Sequence, residues 1–458
     1  VITPRFDSAL ANGVARVTGA ALGPYQTAVV RIGFSLTWLL FLLREWPNRL
    51  ELYGPDGPWN WEMARQLIDG NGAFTVLMWS DGRLWFELVY LLAIVVSALL
   101  LVGWRTRTLS VLFMVGVLSL QNRSVFMGDG GDNVVHLMSI YLVLTRCGQV
   151  WSIDARRRER ARAAAARADR DALESEWDGP EADREPSAEW ERERDGAAPE
   201  RDEVAADAAG GEAVREAAHE AAQEPPGQPR GDAAGVVLWT LLGLALALAT
   251  LFTDLSTGWA LLFWGTWVAQ ALWWAVCRYA PDGELRSVLD VVANLVHNGA
   301  LLVIMAEVCL IYATAGWYKV QGSRWQDGTA LHYPLHLDYF SPWPALSDAL
   351  SSSGVMVMLI TYGTVIVQVA FPFTLFNRKV KNVLLAVMMT EHLFISVVLG
   401  LPFFSLAMIA ADAVFLPTGL LRTLGRAAAR ARDRLPRRRA PGPEAGSTVE
   451  AQPHTLVG

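Results

Sequence analysis

The chain has 458 residues, 52% of them hydrophobic, with 19 Trp and a formal net charge of −7. Its charge gathers between Asp154 and Asp232 and after Arg422, leaving apolar blocks of roughly 20 residues, the length of a bilayer-crossing helix. That distribution excludes a soluble globular enzyme and predicts an all-α polytopic membrane protein, a bundle of about ten transmembrane helices with both termini cytoplasmic.

Residues 1–23 carry Arg5, Asp7 and Arg16 and no uninterrupted apolar core, so the first span is expected to direct insertion. Apolar segments follow at 25–43, 84–103, 108–120 and 133–150, the third of them short. A second series runs at 236–252, 258–277, 293–318, 355–376, 383–399 and 403–421. The first two of that series can also form a re-entrant pair, because only residues 254–257 intervene. Arg105 and Arg107, Arg156 to Arg158, Arg278 and Arg286, and Arg378, Lys379 and Lys381 all fall on one side if every segment crosses. Lys and Arg favour the cytoplasmic side, which orients the bundle. The loops 44–83 and 319–354 then face outward, with Trp46, Trp59, Trp61, Trp79, Trp325 and Trp343 placed as an interfacial belt or as a cap over a cavity.

Four divisions follow. Residues 1–154 form an N-terminal transmembrane half of about four spans, and 155–233 a charged cytoplasmic linker, largely disordered, whose first part can form a transient helix. Residues 234–425 form a second half of about six spans, and 426–458 a basic, disordered cytoplasmic tail able to touch anionic lipid through Arg437 to Arg439. Cys147, Cys277 and Cys309 show neither metal-ligand spacing nor an even count, and read as buried small hydrophobes. No metal is inferred, and a nucleic-acid partner is not expected.

Ionisable groups inside spans are costly and mark candidate sites. Here they are Arg31, Glu87, Asp132, His136, His297, Glu307, Lys319, Glu391, His392 and Asp412. Lys319 closes the run Tyr312-Ala313-Thr314-Ala315-Gly316-Trp317-Tyr318-Lys319, at the outer end of a span. It is either a snorkelling anchor or a lysine made neutral by desolvation and able to take a proton. His392, beside Glu391, is either a histidine satisfied by a neighbour or a proton carrier in an enclosed pocket. Asp132 and His136 share a helix face four residues apart, too few ligands for a metal site. Arg31 is expected to pair with Glu87 or Asp412 and fix helix register. Gly128 to Asp132 reads as a tight extracytoplasmic turn.

These pieces together resemble the HTTM (horizontally transferred transmembrane) family, which includes the vitamin K-dependent γ-carboxylase. The matching stretches are Arg31, Tyr53-Gly54-Pro55-Asp56-Gly57, Asn122-Arg123 before Gly130-Gly131-Asp132, and Trp151-Ser152-Ile153-Asp154. They continue with the run from Tyr312 to Lys319, Trp325-Gln326-Asp327-Gly328, and Glu391-His392 before Leu399-Gly400-Leu401-Pro402-Phe403-Phe404. The resemblance implies a plasma-membrane protein with an extracytoplasmic pocket, in which Lys319 deprotonates reduced vitamin K or menaquinol and His392 assists. It implies that oxygenation (epoxidation) of the quinol is coupled to carboxylation or related chemistry. Trp317, Tyr318, Trp325, Asp132 and His136 would then line the cofactor site, and a peptide or small protein is an expected substrate. The alternative is a non-catalytic membrane factor for peptide maturation or export, or for lipid binding.

Overall fold

The computed structural model describes residues 4–177, 233–253, 255–280 and 283–434, and within them every regular element is helical, with no strand. In chain order these are α1 (Pro4–Gly19), α2 (Pro24–Glu45), α3 (Arg49–Tyr53), α4 (Trp61–Asn71), α5 (Arg83–Val102) and α6 (Thr106–Arg123). Next come α7 (Gly130–Val143), α8 (Ile153–Trp177), α9 (Ala233–Phe252), α10 (Thr257–Tyr279) and α11 (Glu284–Gln321). The series ends with α12 (Ser323–Gln326), α13 (His332–Leu335), α14 (Pro344–Ser351), α15 (Gly354–Ala370), α16 (Arg378–Val398), α17 (Pro402–Asp412) and α18 (Thr418–Arg434).

Seven of the described helices are long and apolar enough to cross a membrane, or eight if Pro402–Phe415 and Thr418–Arg432 count together as one span. This is a polytopic helical membrane protein. The two remaining expected spans are helices α6 and α7, of 18 and 14 residues. They lie inside the bundle, with Phe113, Val117 and Leu120 of α6 and Val135, Met138 and Leu142 of α7 almost fully buried. A helix lined by protein rather than lipid has no need of an apolar surface all round, which explains their polar residues. At 1.5 Å per residue the 38 residues of α11 extend about 57 Å, beyond the roughly 30 Å hydrocarbon layer, which puts Lys319 near one end of a helix with length to spare.

The core gathers α2, α5, α6, α7 and α17 around Phe34, Trp38, Tyr90, Leu100, Met138 and Met408. Lipid removes most of the hydrophobic drive for helix association, so close backbone approach and interhelical hydrogen bonds do that work. Gly33 of α2 lies directly against Ala410 of α17, where a Cβ would overlap it, and Gly116 of α6 lies against Ala93 of α5. Polar clamps complete the assembly. Asn298 Oδ1 accepts the Leu22 N–H at 2.8 Å, and its Nδ2 donates to the carbonyls of Val17 and Ala20. His297 Nδ1 accepts the Arg146 N–H at 2.8 Å, and Nε2 faces the Leu22 carbonyl at 2.8 Å. The α1–α2 turn is thereby strapped to α11, and His297 has a structural role.

Arg31 departs from its expected pairing. Its guanidinium, fully buried, donates to the carbonyls of Leu100 and Leu101 at the end of α5 and to that of Trp151. The final carbonyls of a helix lack intrahelical partners and carry the negative end of its dipole, so a cation there is neutralised without a carboxylate. Glu87 instead pairs with Arg49 at 2.9 Å. Asp154, in the matching stretch after Trp151, accepts the N–H groups of Arg105 and Thr106 and so caps α6 from a distance. Trp151 sits at φ 51°, and Gly103, beside the Arg31 guanidinium, at φ 73°.

Helices α9 and α10 form an antiparallel hairpin. Trp239 and Trp267 stack 3.9 Å apart and each indole N–H donates to the other residue's carbonyl, while Trp264 donates to Thr250 Oγ1. The two helices have 20 and 23 residues, each long and apolar enough to cross a membrane by itself. The arginine-rich helix α8 (153–177) takes in the first part of the linker, and 178–232 lie outside the described residues. Residues 417–434 begin a second compact unit, in which α18 runs to Arg434, well into the stretch expected to lack order. Its alternation of Leu420, Leu421 and Leu424 with arginines is an amphipathic helical pattern, which stabilises helix where charge alone would not. The tail arginines Arg437 to Arg439 lie outside the described residues.

Candidate functional site

Tyr312 and Lys319 are seven residues apart on α11, two turns along nearly one face, and that face meets α15, α16 and α17. Lys319 Nζ donates to the amide oxygen of Gln368 on α15 at 2.6 Å. Gln368 Nε2 in turn donates to Glu391 Oε1 on α16 at 3.0 Å. The lysine is half-buried, its amine 5.3 Å from the ring centre of Trp325. Its direct partner is therefore a neutral amide, with the carboxylate one residue further along the chain.

The next residue of α16 begins a second chain. His392 Nε2 lies 3.0 Å from the Tyr312 hydroxyl, which donates to Asp412 of α17 at 2.9 Å. Tyr312, His392 and Asp412 are each at most 2% exposed. A phenol has a single proton; directed to an ionised Asp412, it leaves His392 to donate from Nε2. Its Nδ1, buried and without a partner among the described residues, then carries a bare lone pair, and the ring meets Phe404 edge-on at 5.5 Å. Glu391 and His392, successive on one helix, thus hold two polar chains side by side across four helices.

Trp317 and Tyr318, expected at the cofactor site, are 61% and 73% exposed and face away from both chains. Asp327 lies in the turn after α12, where its Oδ1 accepts the N–H and hydroxyl of Thr329. The Thr329 hydroxyl bond, with smaller help from the Thr329 N–H and Arg324, holds this exposed carboxyl below the ordinary carboxylate range. Gly328 follows at φ 76°, a left-handed position suited to glycine, and Tyr362 donates to the Gln326 carbonyl at 2.7 Å. The Trp325 to Gly328 stretch is thus a turn that seats Trp325 beside Lys319.

Asp132 and His136 belong to a different place. With Phe41, Tyr53, Gln121 and Ser124 they line a cavity of about 140 Å³ where α2, α3, α6 and α7 meet, and Lys319 is not among its lining residues. Asp129 and Asp132 form a reciprocal cap at the start of α7, Asp132 Oδ2 accepting the Asp129 N–H at 2.8 Å. Phe403 and Phe404 stand between the two regions. Phe403 meets Phe41 at 5.8 Å, and Phe404 packs on Gly130 and Gly131 while touching His392.

Sequence reasoning missed Gln368 and offered Asp412, with Glu87, as a partner for Arg31. The usable signal for Gln368 was a lone amide in an apolar span, the residue type that bridges helices in lipid. Glu307 lies 3.5 Å from the Tyr141 hydroxyl, outside both chains. Among the described residues no three His, Cys, Asp or Glu side chains group as a metal site, and the cysteines are free thiols. No protein-family model, curated protein or solved structure matches this chain.

Proposed function

We propose that this chain is a multi-pass plasma-membrane protein of the HTTM type, crossing ten times with both termini cytoplasmic, and that Lys319 serves as the base of a quinol-dependent oxygenation. The observation that carries the reading is the Lys319–Gln368 bond, 2.6 Å long, with Trp325 beside it and, among the described residues, no carboxylate in direct contact. A lysine can abstract a proton only as the neutral amine. A carboxylate in contact would hold the ammonium proton in place, whereas an amide oxygen orients the nitrogen without neutralising it.

The Trp325 ring beside Lys319 Nζ fits an apolar ring system arriving sideways from the bilayer, as reduced vitamin K or menaquinol would. When bound, such a quinol supplies an acidic phenolic hydroxyl and the electrons that reduce oxygen. The chain's part is to take the phenolic proton at Lys319 Nζ, to keep that nitrogen aimed through Gln368, and to shield it from water with Trp325. His392, fixed by Tyr312 and Asp412, holds its unpartnered Nδ1 in the same helix layer as a buried proton acceptor. Carboxylation of an extracytoplasmic peptide is the coupled reaction that the resemblance suggests.

A second reading rests on the same bond. Lys319 ties α11 to α15 whatever its protonation, which suits a non-catalytic factor for peptide maturation or export, or for lipid binding. Membranes carrying the wild type or Lys319→Met, supplied with reduced menaquinone or vitamin K and oxygen, decide between the two by epoxide formation. The base role predicts a loss of about 10²- to 10⁴-fold in Lys319→Met at matched expression. Turnover equal to wild type in that variant removes the base role of Lys319, and the absence of epoxide from wild-type membranes leaves the non-catalytic reading, which also predicts full function in Lys319→Arg.

A further inference from the structure

Only Leu416 and Pro417 separate helix α18 (Thr418–Arg434) from the last apolar segment of the bundle, which ends at Phe415. Leu416 is extended, at φ −63° and ψ 138°, and Pro417 has no N–H to continue a helix, so the chain breaks here. Three Cα steps cover at most about 11 Å, which ties the start of α18 close to the membrane-embedded bundle. Its sequence holds five arginines and one acid, Asp433. Charges are costly at the centre of a bilayer, so α18 does not continue a span. At about 3.6 residues per turn its apolar side chains fall in one arc of about 120°, in the order Ala427, Leu420, Ala431, Leu424, Ala428 and Leu421. Leu421 is buried, but Leu420 and Leu424 are 47% and 52% exposed, and the three alanines are exposed with them. Arg422, Arg426 and Arg430, four apart, form the opposite face, and Arg432 and Arg434 fall at the two edges of the arc.

A lone helix in water draws little stability from its own hydrogen bonds, and most of it comes from packing an amphipathic face. Here that face is shallow, built of alanine and leucine and bordered by arginine on both sides. Arginine stems lie along apolar surface while the guanidinium reaches outward, which fits a boundary with hydrocarbon below and phosphate at the level of the edges. A deep protein groove would meet the same charges with apolar walls. We infer that α18 lies in the plane of the bilayer surface, with Leu420, Leu424, Ala427 and Ala431 at the headgroup–acyl boundary and its arginines on the phosphates of anionic lipid. The lipid contact that the sequence suggests for Arg437 to Arg439 thus begins earlier, on an ordered helix with a defined face. It stands independently of the role assigned to Lys319 and of the side of the membrane on which α18 lies.

The test uses the full chain in nanodiscs of phosphatidylcholine, with or without phosphatidylglycerol. A nitroxide is placed on Ala431→Cys or Ala429→Cys, on opposite faces of α18, after Cys147→Ser, Cys277→Ser and Cys309→Ser. Lipid concentrates oxygen and excludes a water-soluble nickel chelate, so the ratio of their collision rates reports immersion. With phosphatidylglycerol that ratio is expected to be at least fivefold higher at 431 than at 429. At 431 it is also expected to exceed its value in phosphatidylcholine alone at least twofold, a difference that Arg426→Gln with Arg430→Gln removes. If the serine background fails to fold, amide exchange of the unsubstituted chain replaces the label, with residues 420–432 expected to exchange at least threefold more slowly when phosphatidylglycerol is present. Equal, water-like ratios at both positions overturn the inference, and so does a ratio or an exchange rate that ignores lipid charge. A position 431 closed to oxygen and nickel alike shows a protein over this face and overturns the lipid assignment. Epoxide formation plays no part in this readout, so its failure leaves the Lys319 reading untouched.

Discussion

Lys319, Gln368 and Glu391 behave as one unit because the amide in the middle both accepts and donates. Gln368→Leu keeps the volume and removes both bonds. Activity is then expected to fall at least tenfold with the fold retained, because the amine loses its aim, not its existence. Epoxide assays beside melting curves separate the two effects. Tyr312→Phe strands the Asp412 carboxyl and the His392 Nε2 together, both almost fully buried. Interhelical hydrogen bonds in bilayers average about 0.6 kcal/mol and reach about 1.7, so a loss of about 1–2 kcal/mol is expected in a reversible unfolding assay. Asp327 gives a pH signature outside the membrane. Its carboxyl is held low chiefly by the Thr329 hydroxyl, so the turn's extra stability is present above the unfolded carboxylate value and fades as pH falls through the depressed one. Thr329→Val is expected to return the Asp327 midpoint toward about 3.9, read by carboxyl NMR titration.

Helices pack here by close approach and by borrowed hydrogen bonds. Gly33→Val inserts carbon where Ala410 already lies, and overpacking of this kind costs about 1–3 kcal/mol. The expected result is a lower melting temperature without loss of epoxide formation in the folded fraction. Arg31→Met leaves the Leu100, Leu101 and Trp151 carbonyls unmet in the core, with an expected cost of about 1–3 kcal/mol. At this scale the sequence was partly legible. Long apolar runs mark α2, α5, α9, α10, α11, α15 and α16 directly, because lipid-facing surface must be apolar whatever the partner. The ends of α6 and α7 were blurred, since helices enclosed by protein carry Ser, Asn and Gln that lower hydropathy. His392 and Lys319 were visible as ionisable groups in greasy surroundings and Tyr312 only as part of a sequence run, whereas Gln368 was not visible, because an amide looks ordinary until its partner arrives from another helix.

For the molecule as a whole, the proposed orientation is open to direct test. With ten crossings, Ser352→Cys after α14 is expected to react with a membrane-impermeant maleimide in intact cells, and Ala165→Cys in α8 only after permeabilisation. The reverse pattern would invert the bundle and move Lys319 to the cytoplasmic side. Hydropathy and the placement of arginine were enough to establish a helical membrane protein, because burial in hydrocarbon penalises an unpaired peptide group and a stray charge independently of tertiary detail. Which polar groups meet is a different matter. Arg31 going to carbonyls rather than Asp412, Asp412 to Tyr312, and Asp132 to a cavity apart from Lys319 all depend on contacts between helices far apart in sequence. A hydrogen bond is decided within a few tenths of an ångström, and only the packed bundle sets distances that fine.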